Sequence, residues 1–362
     1  MDSIDRVNNA FNHKDADRTP IFEYVLTGNI PSVLLNRKHI CFNDADGGWD
    51  ARVKENGLIN SVDAYVKDRL DLARILNHDL LYVYPNPPAV SGIAPNIPVK
   101  DLYAGDPVEH MRLRNEKRLN NIDNGICDPD GIFYVYESIN REMRIRNAGY
   151  ELFAPAYFHG VWTDTDLMQT MLLDPETARI HFGVCTELCF KRMDLLKQFG
   201  VKIVGIGGDF AGNRPIISAE SYRAFIMPEI KKCADYARKL GMWAVNTSDG
   251  ALWYVIDDFL INTGVDAYME IDMGAGMDLQ KLKSGYGDKI TFMGNMDCGN
   301  ALSFMDCASI RELTVSCIEY GWGDGGHIFT ASNAITDSVP VQNYLAMVNA
   351  YNDYFSLPVI KI

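Results

Sequence analysis

The chain has 362 residues, 47% of them apolar, and a formal net charge of −14 at neutral pH. That apolar share argues against disorder, and no apolar run approaches the ~20 residues of a membrane span. An acidic balance without a basic block offers no counterion-releasing stripe for a phosphate backbone, so nucleic acid is not an expected partner.

Taken in chain order, the N-terminus carries Asp2, Asp5 and Arg6 where a signal peptide needs an apolar core, which points to a cytoplasmic protein. Residues 2–13 place Ile4, Val7, Ala10 and Phe11 on one helical face with Ser3 as cap, an N-terminal helical extension. Ile21–Val25 reads as a first strand. Side chains alternate along it, so only one of Glu23 and Tyr24 faces inward, and Tyr24 is the favoured lining residue. A helix over 63–76 and a second strand over Leu80–Tyr84 follow, stopped by Pro85, Pro87 and Pro88. Residues 86–130 are rich in Pro, Asn, Asp and Gly and predict a loop, while the aromatic and β-branched content of 133–145 predicts a strand or hairpin. Residues 86–148 are therefore expected as a loop and hairpin insertion. Tyr150–His159 gives a third strand, 175–199 a long helix, 201–209 a fourth strand and 218–240 a further helix opened by Ser218.

The last third alternates strand and helix. Strands within Trp243–Gly250, Ala267–Asp272, Ile290–Cys298 and His327–Asn333 each run into a polar residue where the strand should end. Chemistry at the C-terminal ends of alternating strands is how a (β/α)₈ TIM barrel builds an active site, so one such domain over 1–362 is expected, and an enzyme.

Several residues stand at those strand ends. His159, after Tyr157 and Phe158 and before Trp162, can donate a proton or hydrogen bond beside aromatic groups that sandwich an arene. Asp209 lies in a Gly-Gly-Asp-Phe turn that permits close approach of a ligand. Glu270 and Cys298 follow neighbouring strands and form a carboxylate and thiolate pair suited to zinc, with Asp249 or His327 as the third ligand. Asn246 and Arg214 are substrate-contact candidates. Against each stands a plainer reading: Cys298 as a small buried thiol, His159 as a packed imidazole, Arg214 as a surface group. Eight cysteines lie at no regular spacing and read as reduced thiols; Cys185 and Cys189, four apart, share a helix face as core. The glycine-rich run 321–326 lacks the Gly-Lys-Ser/Thr ending of a phosphate loop and reads as the turn into the last strand.

The segments 6–20, 207–212, 217–223, 248–250, 276–283 and 294–297, in this order and spacing, resemble the uroporphyrinogen decarboxylase superfamily over nearly the whole chain. The resemblance implies a (β/α)₈ barrel and one of two activities: porphyrinogen decarboxylation, or cobalamin-dependent methyl transfer involving a corrinoid protein. Decarboxylases of the family carry arginines just after the first strand and a histidine after the last. This chain has Leu26-Thr27-Gly28-Asn29 and Ser332-Asn333-Ala334 there, which disfavours a substrate with eight carboxylates. The thiol-methylating branch binds zinc through a His-x-Cys pair and a later Cys; Thr247, Asp249 and Asn333 occupy those places. What remains resembles corrinoid methyltransferases that demethylate methoxylated aromatics, the cobalamin arriving on a partner corrinoid protein and zinc stabilising the departing oxygen. A decarboxylase of a smaller acid and a non-catalytic paralogue that binds a corrinoid protein are the alternatives, and the sequence leaves a homodimer open.

Overall fold

The computed structural model describes residues 1–42, 48–87, 105–123, 131–157 and 159–361. Among the described residues, seven parallel strands stand in sequence order: β1 (Leu80–Tyr82), β2 (Glu151–Pro155), β3 (Ile203–Gly207), β4 (Trp243–Thr247), β5 (Ala267–Met269), β6 (Thr291–Met293) and β7 (His327–Ile328). The remaining place is filled by residues 20–27. Asp79 N donates to Ile21 O at 2.8 Å on the β1 side, and Phe329 N donates to Pro20 O and Ile335 N to Val25 O, both at 2.8 Å, on the β7 side. The expected first strand is thus present as an irregular eighth stave that joins both edges of the sheet. Arg18 anchors it, since its guanidinium holds Asp79 through bonds of 2.6 and 2.9 Å while Asp79 accepts Ile21 N at 3.1 Å.

Strand alternation divides the core into two layers. Phe22, Leu80, Tyr82, Phe153, Ile203, Val245, Ala267, Met269, Met293 and Ile328 fill the barrel interior. Their neighbours Leu81, Leu152, Val204, Ala244, Tyr268 and Phe292 face outward and pack under the helices. The N-terminal helix Ser3–Phe11 lays Val7, Ala10 and Phe11 over the base of the barrel; its cap is Asp2, which accepts Asp5 N, rather than Ser3.

Two expectations about the insertion are corrected. The segment expected as a strand or hairpin is the helix Tyr134–Arg146, because Val135, Tyr136 and Ile139 recur at helical spacing and bury one face against the helix Leu58–Ile75. The expected loop contains a 17-residue helix, Pro107–Asp123, that packs on Thr165–Leu173 and Pro175–Gln198. No helix among the described residues is long and apolar enough to cross a membrane.

Candidate functional site

Asp209 and Asp249 lie two residues beyond β3 and β4, and alternation from Ile203 and Val245 points both inward. Glu270 follows Met269, an interior residue, so regular alternation would turn it outward. Instead Glu270 and Ile271 adopt φ of +94° and +46°, a left-handed break at the strand end. It brings the Glu270 carboxylate to the other two: one ligand oxygen from each of Asp209, Asp249 and Glu270 lies within 4.8 Å of the others. A non-glycine residue held at such a φ costs about 1–3 kcal/mol, and such strain concentrates at functional sites.

The three acids share one field. Burial, then Asp209 and Asp272, push the Asp249 carboxyl up to about 7, against the opposing amide of Asn333. Burial raises Asp209, offset in part by the Asp249 N–H that it accepts at 3.0 Å. Glu270, 7% exposed, lies well above its ordinary value through burial and the charges of Asp249, Asp209 and Asp272, and its Oε2 has no hydrogen-bond partner. Among the described residues no arginine or lysine is one of the groups that shift these acids. Three like charges this close cannot all ionise unaided, so the group either keeps protons at neutral pH or holds a cation. The orphaned Glu270 oxygen fits a divalent ion, and three carboxylates form an all-oxygen donor set that zinc accepts and harder ions such as Mn²⁺ and Mg²⁺ also suit.

A tyrosine wall adjoins the acids. Tyr84 Oη donates to Tyr24 Oη at 3.0 Å and Tyr82 Oη to Tyr157 Oη at 3.1 Å. The Tyr24 and Tyr82 rings meet edge-on with centroids 4.5 Å apart. Burial raises Tyr24, Tyr157 and Tyr84 above the ordinary phenol range, and the Glu270 charge adds to it in each. Gly205 makes room for this wall: a Cβ there would stand 2.2 Å from Tyr157 Cε1. Trp162, 51% exposed, lies over Gly212 beside Asp209, whose carbonyl accepts Trp162 N at 3.0 Å.

The other sequence candidates are dispersed. His159 is fully buried, with Nε2 3.0 Å from Thr186 Oγ1 on the long helix, and burial pushes its imidazole down to about 3, so it is a neutral packing group in the helical layer. Asn246 also faces outward, donating to Phe259 O at 3.0 Å, and Arg214 is exposed. His327 is the first residue of β7, at the opposite end from the acids, and its Nε2 pairs with Gly294 O at 2.8 Å. Cys298 stands with Sγ 3.6 Å from Ser332 Oγ, outside the group of three carboxylates. Asn333 joins the site, its Nδ2 donating to Asp249 Oδ2 at 2.6 Å. Phe158 lies outside the described residues. Tyr82 and Tyr84 were not singled out by sequence reasoning, although their alternate positions before a proline stop could have marked them. Glu23 faces away from the interior; burial holds its carboxyl up at about 8 against the opposing pull of Tyr344, the Ala331 N–H, Arg69 and Thr330, and among the described residues neither oxygen has a partner at hydrogen-bond geometry.

A parallel barrel with an acidic group at the C-terminal ends of its strands has the architecture of a barrel enzyme. The family profile described as uroporphyrinogen decarboxylase (URO-D) matches residues 160–354, and the chain belongs to that family. It is 31% identical over 107 residues to a uroporphyrinogen decarboxylase of Legionella pneumophila (strain Corby), covering 30% of this chain and 28% of that protein. It is 24% identical over 197 residues to the enzyme of Actinobacillus succinogenes, covering 52% of each. The chain thus spans about half or less of the length of these curated relatives. A methyltransferase from Methanosarcina mazei shares the fold, with a TM-score of 0.70, 13% identity, and 98% of this chain and 99% of that one covered.

Proposed function

We propose that this protein transfers a methyl group from a small methoxylated arene to the reduced cobalt of a corrinoid carried by a partner protein. The observation that carries this reading is the group formed by Asp209, Asp249 and Glu270, which among the described residues has no cationic group perturbing it. Such a site repels a polycarboxylate, which would need fixed guanidinium partners, and so speaks against porphyrinogen decarboxylation. It suits a neutral donor whose oxygen must be stabilised as it departs. The methanogen protein of the same fold carries the name methyltransferase, which is consistent with this reading.

In the transfer the bond from methyl carbon to oxygen breaks, and the arene oxygen keeps its electron pair and takes up one proton. The methyl carbon bonds to the cobalt nucleophile, which is formally oxidised by two electrons. In the cation-free site Asp249, with its carboxyl near 7, can hold that proton at neutral pH and release it to the arene oxygen; with a cation bound Asp249 is ionised and the proton comes from solvent. Asn333 fixes the orientation of Asp249 through the 2.6 Å bond. Tyr24, Tyr84 and Tyr157 present ring faces and hydroxyls to an aromatic donor, and Trp162 lies at the open side. Asp209, Asp249 and Glu270 would hold a divalent cation, zinc or a harder ion, which when bound supplies Lewis acidity for the leaving oxygen.

The test is an anaerobic assay with free cob(I)alamin, a panel of neutral methoxybenzenes and methoxyphenols with a methoxybenzoate as the carboxylated comparison, and the protein supplied with Zn²⁺ or Mn²⁺. Enzyme-dependent conversion of the cob(I)alamin spectrum to that of methylcobalamin, with release of the matching phenol, supports the proposal. Carbon dioxide release from a carboxylated arene with the methoxyl group intact would favour a decarboxylase instead.

A further inference from the structure

The mouth at the C-terminal ends of the strands joins two surfaces of different chemistry. On one side, Asp209, Asp249 and Glu270 bring ligand oxygens within 4.8 Å of one another, and Asp272 adds a fourth charge that acts on Asp249 and Glu270. Glu270 is 7% exposed, yet its Oε2 faces this group without a hydrogen-bond partner, so the structure supplies nothing to receive it. A divalent ion offsets two formal charges of these four carboxylates and leaves the mouth anionic.

On the other side stand the tyrosines. Tyr24, Tyr84 and Tyr157 are half-buried, so part of each side chain stays open. The Tyr24 and Tyr82 rings meet at 63° with centroids 4.5 Å apart, Tyr82 and Tyr84 at 81° and 4.8 Å, and Tyr24 and Tyr84 at 50° and 6.2 Å. In none of these pairs do the rings stack face to face, which leaves ring faces for a ligand. Their hydroxyls are turned on one another, Tyr84 Oη donating to Tyr24 Oη and Tyr82 Oη to Tyr157 Oη, so the wall offers mainly π-electron density. The Glu270 charge acts on Tyr24, Tyr84 and Tyr157, which places these rings in the field of the acids. Trp162, 51% exposed over Gly212, adds an open indole beside Asp209.

Negative charge beyond what one divalent ion neutralises, beside open aromatic faces, is the combination that holds a cation with no hydrogen bond to donate. A neutral arene uses the faces but not the charge, and a metal ion uses the charge but not the faces. We infer that this mouth recognises a quaternary ammonium cation that carries no carboxylate, with its N-methyl groups on the tyrosine side and its charge in the field of Asp209, Asp249, Glu270 and Asp272. A choline-like cation meets both requirements, whereas the carboxylate of a betaine is repelled by the same acids. The inference goes beyond the proposed methyl transfer and does not depend on it.

The probes are tetramethylammonium and choline, titrated against the full chain by ligand-observed NMR without any corrinoid, so that the outcome is independent of methyl transfer. The control is 3,3-dimethyl-1-butanol, which replaces the nitrogen of choline by carbon and keeps its shape without the charge. Expected results are saturable binding of both cations, with the uncharged isostere weaker by about tenfold or more and glycine betaine weaker than choline. Tyr24→Phe, which keeps a ring face, should bind choline as the wild type does, while Tyr24→Leu and Glu270→Gln should each bind it more weakly by about threefold or more. Binding should persist when Zn²⁺ is supplied; displacement by Zn²⁺ would assign the probes to the carboxylates alone and overturn the inference. So would failure of both cations to bind, equal binding of choline and its isostere, tighter binding of betaine than of choline, or choline binding undiminished in both Tyr24→Leu and Glu270→Gln. Variants are compared only where their melting temperatures match the wild type, and otherwise choline against its isostere on the wild-type chain decides.

Discussion

The Asn333 side-chain amide donates to Asp249 Oδ2 at 2.6 Å, tying the loop after β7 to the loop after β4. It is the one group among those perturbing Asp249 that favours the ionised form; burial, Asp209 and Asp272 all oppose it. Removing it in Asn333→Leu should raise the Asp249 titration above its value of about 7 by roughly one to two pH units, the size of one hydrogen bond to a charged group. Carbon-detected NMR of the carboxyl groups against pH checks this. An unchanged titration would mean that the amide does not act on Asp249 in solution.

Glu23 gives stability a pH dependence of known sign. Its folded value of about 8 lies above the ordinary carboxylate value, so the folded state keeps the proton to higher pH than the unfolded chain does. The contribution is complete below the unfolded value near 4.3 and is lost as pH rises towards 8. Between these limits Glu23→Gln should flatten the fall of unfolding free energy by about 1.4 kcal/mol per pH unit. Urea unfolding of both proteins at pH 5 and pH 7.5 decides it, and parallel curves would refute the assignment.

Gly205→Ala tests the packing of the tyrosine wall. The new methyl would meet Tyr157 Cε1 at 2.2 Å and the hydroxyl at 2.3 Å, which requires the ring to move. Overpacking of this kind costs about 1–3 kcal/mol. The midpoint of urea unfolding should fall accordingly, and Tyr157 should shift in the NMR spectrum of tyrosine-labelled protein. A midpoint equal to that of the wild type would mean that the ring does not occupy the space over Gly205.

His159 separates a packing histidine from a proton donor. Removing a general acid slows a reaction by about 10²–10⁴-fold. Because its Nε2 bonds Thr186 in the helical layer, His159→Gln should lower stability and leave the proposed methyl transfer and its pH profile far less affected than that. A loss of the larger size in a folded variant would return His159 to the site.

The barrel was legible because apolar runs end in polar residues at six of the seven strands, the other stopping at Pro85, and because alternation within Trp243–Thr247 assigns Val245 inward and Asn246 outward once the phase is known. Alternation still describes Asp209 and Asp249, two residues past their strands, but fails further on. His159 and Cys298 lie four and five residues past Pro155 and Met293, where the backbone no longer keeps the period, and their directions were not readable. Glu270 is the reverse case: its inward turn depends on a positive φ that no residue pattern announces. The helix Tyr134–Arg146 misled because Tyr134, Val135, Tyr136 and Ile139 favour strands, yet burial against Leu58–Ile75 overrides that preference.

The most direct test of the account titrates metal-free protein with Mn²⁺ and Zn²⁺, following bound Mn²⁺ by electron paramagnetic resonance and bound Zn²⁺ by elemental analysis, in the wild type and in Glu270→Gln, Asp249→Asn and Cys298→Ala. About one cation per chain, lost in the two carboxylate variants and retained in Cys298→Ala, is the result expected of an all-oxygen centre built from Asp209, Asp249 and Glu270. No bound cation in the folded wild type, or a cation lost only with Cys298, would contradict it.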